Sequence, residues 1–166
     1  MKRLLPQPVI TVLIILLWLL LTPSPGLGNI LLAVIIGLII PQFTHRFWPN
    51  PPRLRRPGLA LKLLGRVLVD IVAANITVAR QVLGPPERLR PAFMQVPLAV
   101  EDPFVATLFG GIISLTPGTV TIDIEMDENG RPSRLLVHGL DVPDPEATIA
   151  EVKARYEAPL KEIFGC

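Results

Sequence analysis

Asp70 is the only acidic residue among the first 83, and it sits in a stretch, Leu59 to Leu83, that is otherwise mostly Leu, Val, Ile and Ala. A carboxylate in apolar surroundings is the residue type of an intramembrane ion pathway, because it can take up a cation or a proton. The spacing points elsewhere. Arg66 lies four residues earlier, so on a helix the two side chains meet and form an ion pair that offsets part of the charge. A structural pair is the reading this spacing favours, with Asn75 on the opposite side of the same helix.

The remaining chemistry-bearing residues are scattered. Asp123, Glu125, Asp127 and Glu128 bring four carboxylates together, but their alternation is that of a solvated strand face and their spacing is not that of a calcium loop. His45 and His138 fall in different regions, and His138 has no cysteine or second histidine near it in sequence to complete a metal site, so a packed strand histidine is expected. Ser114 lacks the glycine-framed elbow of a hydrolase, and no phosphate-cradling glycine loop occurs. Cys166, the single cysteine, excludes an intrachain disulfide and has no lipidation context. These residues predict no catalytic, cofactor or metal site and no enzyme.

The elements that position them begin with a membrane hairpin. Two apolar runs, Leu4 to Leu21 and Leu27 to Ile40, flank the uncharged turn Thr22-Pro23-Ser24-Pro25-Gly26. At about 1.5 Å per residue the first covers roughly 27 Å, close to a hydrocarbon core of about 30 Å. The shorter second run continues through Phe43, Phe47 and Trp48, aromatics suited to the headgroup layer. Lys2 and Arg3 precede the first run and Arg46, Arg53, Arg55 and Arg56 follow the second, so both ends are expected in the cytoplasm, as in a multi-pass protein of a bacterial inner membrane. A cleaved signal peptide fits less well, since no A-x-A-like site follows and a second apolar run comes at once.

Charge divides the chain again. Residues 1 to 83 carry net +8 and residues 84 to 166 net −6 within an overall +2. The basic half suits the anionic inner face of a membrane, so lipids are an expected partner; the acidic half has no basic stripe for nucleic acid. Prolines 49, 51, 52 and 57 break the chain into a linker over 42 to 58. Beyond it, Lys62, Arg66, Asp70, Thr77, Arg80 and Gln81 fall within about 100° of one another on a helix over 59 to 83. On a lone lipid-facing span its charges would cost about 2.5 to 3.5 kcal/mol each, so the helix is expected to lie in the cytoplasmic interface with this stripe toward water; a span whose stripe faces a partner protein is the alternative. The divisions are a hairpin and basic linker over 1–58, an amphipathic helix over 59–89 and a cytoplasmic domain over 90–166.

That domain reads as a small α+β unit of order β-α-β-β-α. Phe93 to Val96 is a short strand between Pro91 and Pro97. Asp102 caps, and Pro103 opens, an apolar helix from Phe104 to Leu115, where Gly110-Gly111 is tolerable if another backbone packs closely. From Thr119 to Met126, Val120, Ile122, Ile124 and Met126 alternate with polar residues, the period of a strand with those four inward. Asp127-Glu128-Asn129-Gly130 turns the chain into a strand from Arg134 to His138. Asp144 caps the last helix, whose Ile149, Val152, Tyr156, Leu160 and Ile163 face the sheet and whose Pro159 should bend its final turns.

The most specific string is Ser114-Leu115-Thr116-Pro117-Gly118-Thr119, physically a helix stop and a type II turn with Pro117 and Gly118 at its centre. It stands between the apolar helix and Val120-Thr121-Ile122-Asp123, and Leu136-Val137-His138-Gly139-Leu140-Asp141-Val142 follows. In this order, and with Asp70 to Leu83 and Lys153 to Phe164, the chain strongly resembles the E subunit of the Mrp family of multisubunit cation:proton antiporters. Gly139, where relatives often carry a larger residue, is a small departure. The resemblance implies a bacterial inner-membrane complex of several different subunits that exchanges cytoplasmic sodium for external protons and supports growth in salt or alkali. Its large subunits, similar to those of respiratory complex I, carry the proton pathway. The E subunit is then an accessory, assembling part whose partners are the other subunits, with Thr116, Pro117, Gly118, Thr119 and His138 as structural positions. A freestanding membrane-anchored adaptor whose acidic domain binds a soluble regulator is the alternative.

Overall fold

The computed structural model describes residues 8–24, 26–44 and 52–166. Lys2, Arg3, His45, Arg46, Phe47 and Trp48, on which part of the topology reading rests, lie outside the described residues. The chain divides into two compact units, one through Pro51 and one from Pro52.

In the first unit α1 (Pro8–Leu21) and α2 (Leu27–Thr44) pack against each other as a helical hairpin. Ala33, Gly37 and Pro41 recur every fourth residue and are the buried face of α2. Small residues are what two apolar helices need for close approach. A Cβ added at Gly37 would stand 2.6 Å from Ile15 Cγ1 and 3.2 Å from the Thr11 carbonyl, so only glycine fits. Among the described residues α2 alone is long and apolar enough to cross a membrane by length and composition. The described part of α1 has 14 residues and advances about 21 Å, less than the run from Leu4.

The second unit opens with α3 (Pro57–Val82), starting two residues before its expected position with Pro57 in its first turn. After a short 3₁₀ turn, Pro86–Arg88, come β1 (Ala92–Pro97), α4 (Pro103–Leu115), β2 (Thr119–Met126) and β3 (Pro132–Gly139). The three strands form an antiparallel sheet of order β1-β3-β2. Prolines at the limits of β1 are compatible with its edge position. Met94, Val96, Leu135 and Val137 are buried on one face, beneath α4 and the C-terminal helical segment, with Phe109, Leu160 and Ile163 completing the core. The Asp102 carboxylate accepts from the Phe104 and Val105 amides, and Asp144 accepts from that of Ala147, so both helix starts are capped as their sequences indicate.

Three local expectations are corrected. In β2 the register against β3 shifts between Thr121 and Asp123, a bulge that reverses the strand's faces. Val120 and Ile122 are therefore exposed, while Thr121 turns onto α4 and donates its hydroxyl to the Gly110 carbonyl at 2.9 Å; Ile124, past the bulge, packs on the core as expected, and a second register shift between Glu125 and Met126 leaves Met126 exposed. Gly110 is crowded by the Thr121 side chain rather than by another backbone, and a Cβ at Gly111 would meet nothing within 4 Å. The last helix does not simply bend at Pro159. α5 (Pro145–Val152) passes into a π-helical turn, Lys153–Glu157, and then α6 (Ala158–Phe164), with the Ala158 amide bonded to the carbonyl five residues back. A proline ring clashes with the carbonyl four residues before it, here that of Arg155, and the widened turn relieves that clash.

Thr116-Pro117-Gly118-Thr119 is the expected type II turn: Gly118 has φ +92° and the Thr119 amide reaches the Thr116 carbonyl at 3.3 Å. Gly139 is buried, and Val142 fills the space its Cβ would need. Gly118→Val is expected to lower the stability of the second unit by about 1 to 3 kcal/mol through backbone strain, seen as a lower thermal midpoint of the detergent-solubilised chain. Gly111→Ala should leave that midpoint unchanged or raise it, by up to about 1 kcal/mol of helix propensity.

Candidate functional site

Helix α3 turns Leu63, Val67 and Asp70 into the second unit and leaves its opposite side exposed. Burial of Asp70 follows from position: it lies one and two turns along the same face as the two apolar residues that enter the core. A carboxylate cannot be left there unpaired. Arg155 and Tyr156, from the π turn, meet it. The guanidinium is bidentate, Nε donating to Oδ2 at 2.8 Å and Nη2 to Oδ1, and the tyrosine hydroxyl donates to Oδ2 at 2.9 Å. The Asp70 side chain is 9% exposed, that of Arg155 43%.

Sequence spacing pairs Asp70 with Arg66, and here the structure differs. Arg66 is exposed and acts on Asp70 only through space, as the weakest of its influences. The Arg155 guanidinium holds the Asp70 carboxyl below its ordinary value of 3.8; burial opposes this and the Tyr156 hydroxyl adds to it. Tyr156 is raised by its burial and then by Asp70, while the Thr116 hydroxyl acts in the other direction. One polar cluster thereby joins α3 and the C-terminal helix.

The wider turn sends neighbouring residues to different sides. Glu157, buried next to Tyr156, accepts from the Ala99 amide at 2.6 Å and pairs with Lys153, whose ammonium also donates to the Pro97 carbonyl. The two ends of α3 are tied as well. Ahead of it, the Arg55 amide bonds the Ile163 carbonyl at 2.8 Å and Arg56 pairs with Glu162 at 2.8 Å. Near its end, Gln81 donates to Asp141 at 3.1 Å, and Arg90 reaches the same carboxylate at 3.4 Å.

The other sequence candidates are bonded elsewhere, the Thr116 hydroxyl to the Ile112 carbonyl at 3.2 Å. Thr119 donates its hydroxyl to the Ile113 carbonyl at 2.7 Å and closes the turn. Pro117 and Gly118 line the space beside Val78, which a Gly118 Cβ would approach to 3.1 Å. Asn75 is exposed and bonds the Ile71 carbonyl on its own helix. His138 packs at 5.0 Å between ring centres against Phe93, on the open face of the sheet. The acidic residues are engaged locally: Asp123 accepts from the Ile124 amide, Asp127 from those of Asn129 and Arg131, and Glu125 faces Arg134. Ser114 accepts from the Thr121 amide, one of the groups on the outer strand β2. Tyr156 is expected on the apolar face of the last helix, but its bond to Asp70 and that of Arg155 escaped sequence reasoning because nothing local marks them, although Pro159 signals a disturbed helix just upstream.

Residues 11–163 match the model of a family described as Na+/H+ ion antiporter subunit. The E subunit of a probable K+/H+ antiporter of Rhizobium meliloti is 30% identical over 99% of each chain. The E subunit of the Na+/H+ antiporter of Bacillus subtilis is 26% identical over 95% of this chain and 97% of its own. Among solved structures, a chain of the Mrp complex from Dietzia sp. DQ12-45-1b aligns with a TM-score of 0.51 and 24% identity, over 65% of this chain and 98% of that one. A chain of the membrane-bound sulfane sulfur reductase, an archaeal respiratory membrane complex, aligns over 99% and 100% with a TM-score of 0.68 and 22% identity. At these identities the two structures share the fold.

Asp70→Asn is expected to destabilise the second unit by about 1 to 3 kcal/mol at neutral pH, below the figure for a fully buried pair because Arg155 is part exposed. Combining it with Arg155→Met should restore part of that loss in a double-mutant cycle. A carboxyl that titrates below its unfolded value stabilises above that value and ceases to as pH falls through the folded one. Wild type and Asp70→Asn should therefore converge in thermal midpoint as pH drops below 3.8.

Proposed function

The chain belongs to the Na+/H+ ion antiporter subunit family, and from that premise we propose that it is an accessory, non-catalytic subunit of a multisubunit sodium:proton antiporter, needed for assembly and for tolerance of sodium and alkali. The observation that carries this reading is the state of Asp70. A carboxylate in an ion route must be able to release its partner, and this one is held by a bidentate arginine and a tyrosine as part of the domain's packing. Further support comes from relatives named as antiporter subunits and matched nearly end to end.

In this reading α1 and α2 anchor the chain as two spans, and the second unit lies on the cytoplasmic side. Its partners are the other antiporter subunits and membrane lipids. In the hairpin Gly37 packs against Ile15 and Thr11, and the outward Leu, Ile and Val are left for lipid or for neighbouring subunits. Sodium is taken from the family description; the Rhizobium relative is named for potassium, so exchange is to be assayed with both ions.

Copurification in mild detergent tests the reading. Stoichiometric polytopic subunits and cation-dependent proton exchange in the purified material are expected. A chain recovered alone, or with a soluble protein only, would favour a freestanding adaptor instead. Reporter fusions after Gly26, Pro57 and Gly165 should give a periplasmic signal only from the first; a periplasmic signal from the Gly165 fusion would contradict the two-span topology.

A further inference from the structure

We propose that the exposed apolar side of α3 is seated on an anionic phospholipid surface, with Lys62, Arg66 and Arg80 reaching lipid phosphates along one border. The proposal rests on the reading of the chain as a membrane subunit and adds to it a contact made by the second unit itself.

Three faces can be read around α3 at about 100° per residue. One, with Leu63, Val67 and Asp70, enters the domain. Nearly opposite lie Leu61, Leu64, Leu68, Val72 and Ile76, between 50% and 70% exposed. Along the border between them run Lys62, Arg66 and Arg80, all exposed. An aliphatic side this long, left open on a folded unit, marks a surface that something covers.

The position of the helix limits what that cover can be. α3 has 26 residues and is about 39 Å long, and it is fastened to the domain ahead of its start by Arg55 and Arg56, at its middle by Asp70 and near its end by Gln81. A helix tied so along its length runs with the domain and does not leave it to cross a bilayer. It can only lie flat on what it meets.

Charge identifies the occupant. Residues 53 to 90 carry eight basic side chains, of which Arg56 and Arg90 pair with Glu162 and Asp141, and two acidic ones, of which Asp70 is turned inward onto Arg155. Apart from Asn75 and Thr77, whose side chains bond carbonyls of their own helix, what α3 shows the outside is aliphatic and cationic, the pattern of a helix lying in a headgroup layer, where long basic side chains keep their heads at the phosphates and their stems on the acyl boundary.

The experiment uses the full chain in nanodiscs, with Cys166→Ser to remove the native thiol and single cysteines at Leu64, Leu68, Val72 or Ile76 carrying a fluorophore. Quenching by phospholipids with doxyl groups at shallow or deep acyl positions reads depth. Equal quenching at all four sites, mainly by the shallow probe, is expected. It should be stronger in phosphatidylcholine with phosphatidylglycerol than in phosphatidylcholine alone, and should fall about twofold or more in the variant Lys62→Gln, Arg66→Gln, Arg80→Gln or on raising salt with the native cations in place. Depth that changes steadily from position 64 to 76 would overturn the proposal in favour of a span. Labels open to water in the nanodisc and protected only when other subunits are added would overturn it in favour of a protein partner. Copurification of antiporter subunits alongside unquenched labels would refute this seating while leaving the accessory-subunit reading intact.

Discussion

Asp70 has to leave water where α3 meets the C-terminal helix, and the way its charge is met organises the second unit. An arginine fork satisfies both carboxylate oxygens and a tyrosine hydroxyl adds a third donor, so the desolvation penalty is offset by charge-assisted bonds. Those donors are available because the helix that carries them widens into a π turn ahead of Pro159. The same turn directs Glu157 to the end of β1. One irregular turn therefore fixes α3 on one side and the sheet on the other.

The two units solve the problem of helix contact differently. In the hairpin, α1 and α2 offer no ionisable groups among their described residues, and contact depends on Gly37 admitting Ile15. For α3 the contact is mixed, with Leu63 and Val67 beside polar ties near both ends and at the middle. Polar ties specify position as well as strength, and a helix that presents a separate apolar side elsewhere needs its rotation fixed. Were α3 free to turn by half a revolution, Leu64 and Leu68 would enter the domain and Asp70 would face outward.

Much of this fold is written in short-range sequence. The capped starts at Asp102 and Asp144, the turn at Pro117-Gly118, the alternation of β3 and the pause between the two N-terminal helices all depend on residues a few positions apart, and each appears where its pattern places it. The misplaced features are those decided at a distance. Asp70 has Arg66 one turn away but bonds Arg155, 85 residues on, because burial of α3 hides the face Asp70 shares with Leu63 and Val67. In β2 the alternation is regular in sequence, yet a bulge at Ile122 reverses it and leaves Val120 outside. The polar stripe of α3 does not face water along its whole width, as its pattern suggests; its inner edge, Asp70 and Gln81, faces the domain, while Lys62, Arg66 and Arg80 remain outside.

A carboxylate that fastens two helices and a carboxylate that relays ions make opposite demands on the same side chain. The first must stay paired; the second must exchange partners. Cation-dependent proton exchange in proteoliposomes, expressed per assembled complex and compared between the native chain and Asp70→Asn, separates them most directly. A structural Asp70 gives less complex from the variant but an essentially unchanged rate in what assembles. Complex recovered in normal amount with its exchange lost would place Asp70 in the ion route and contradict the accessory role.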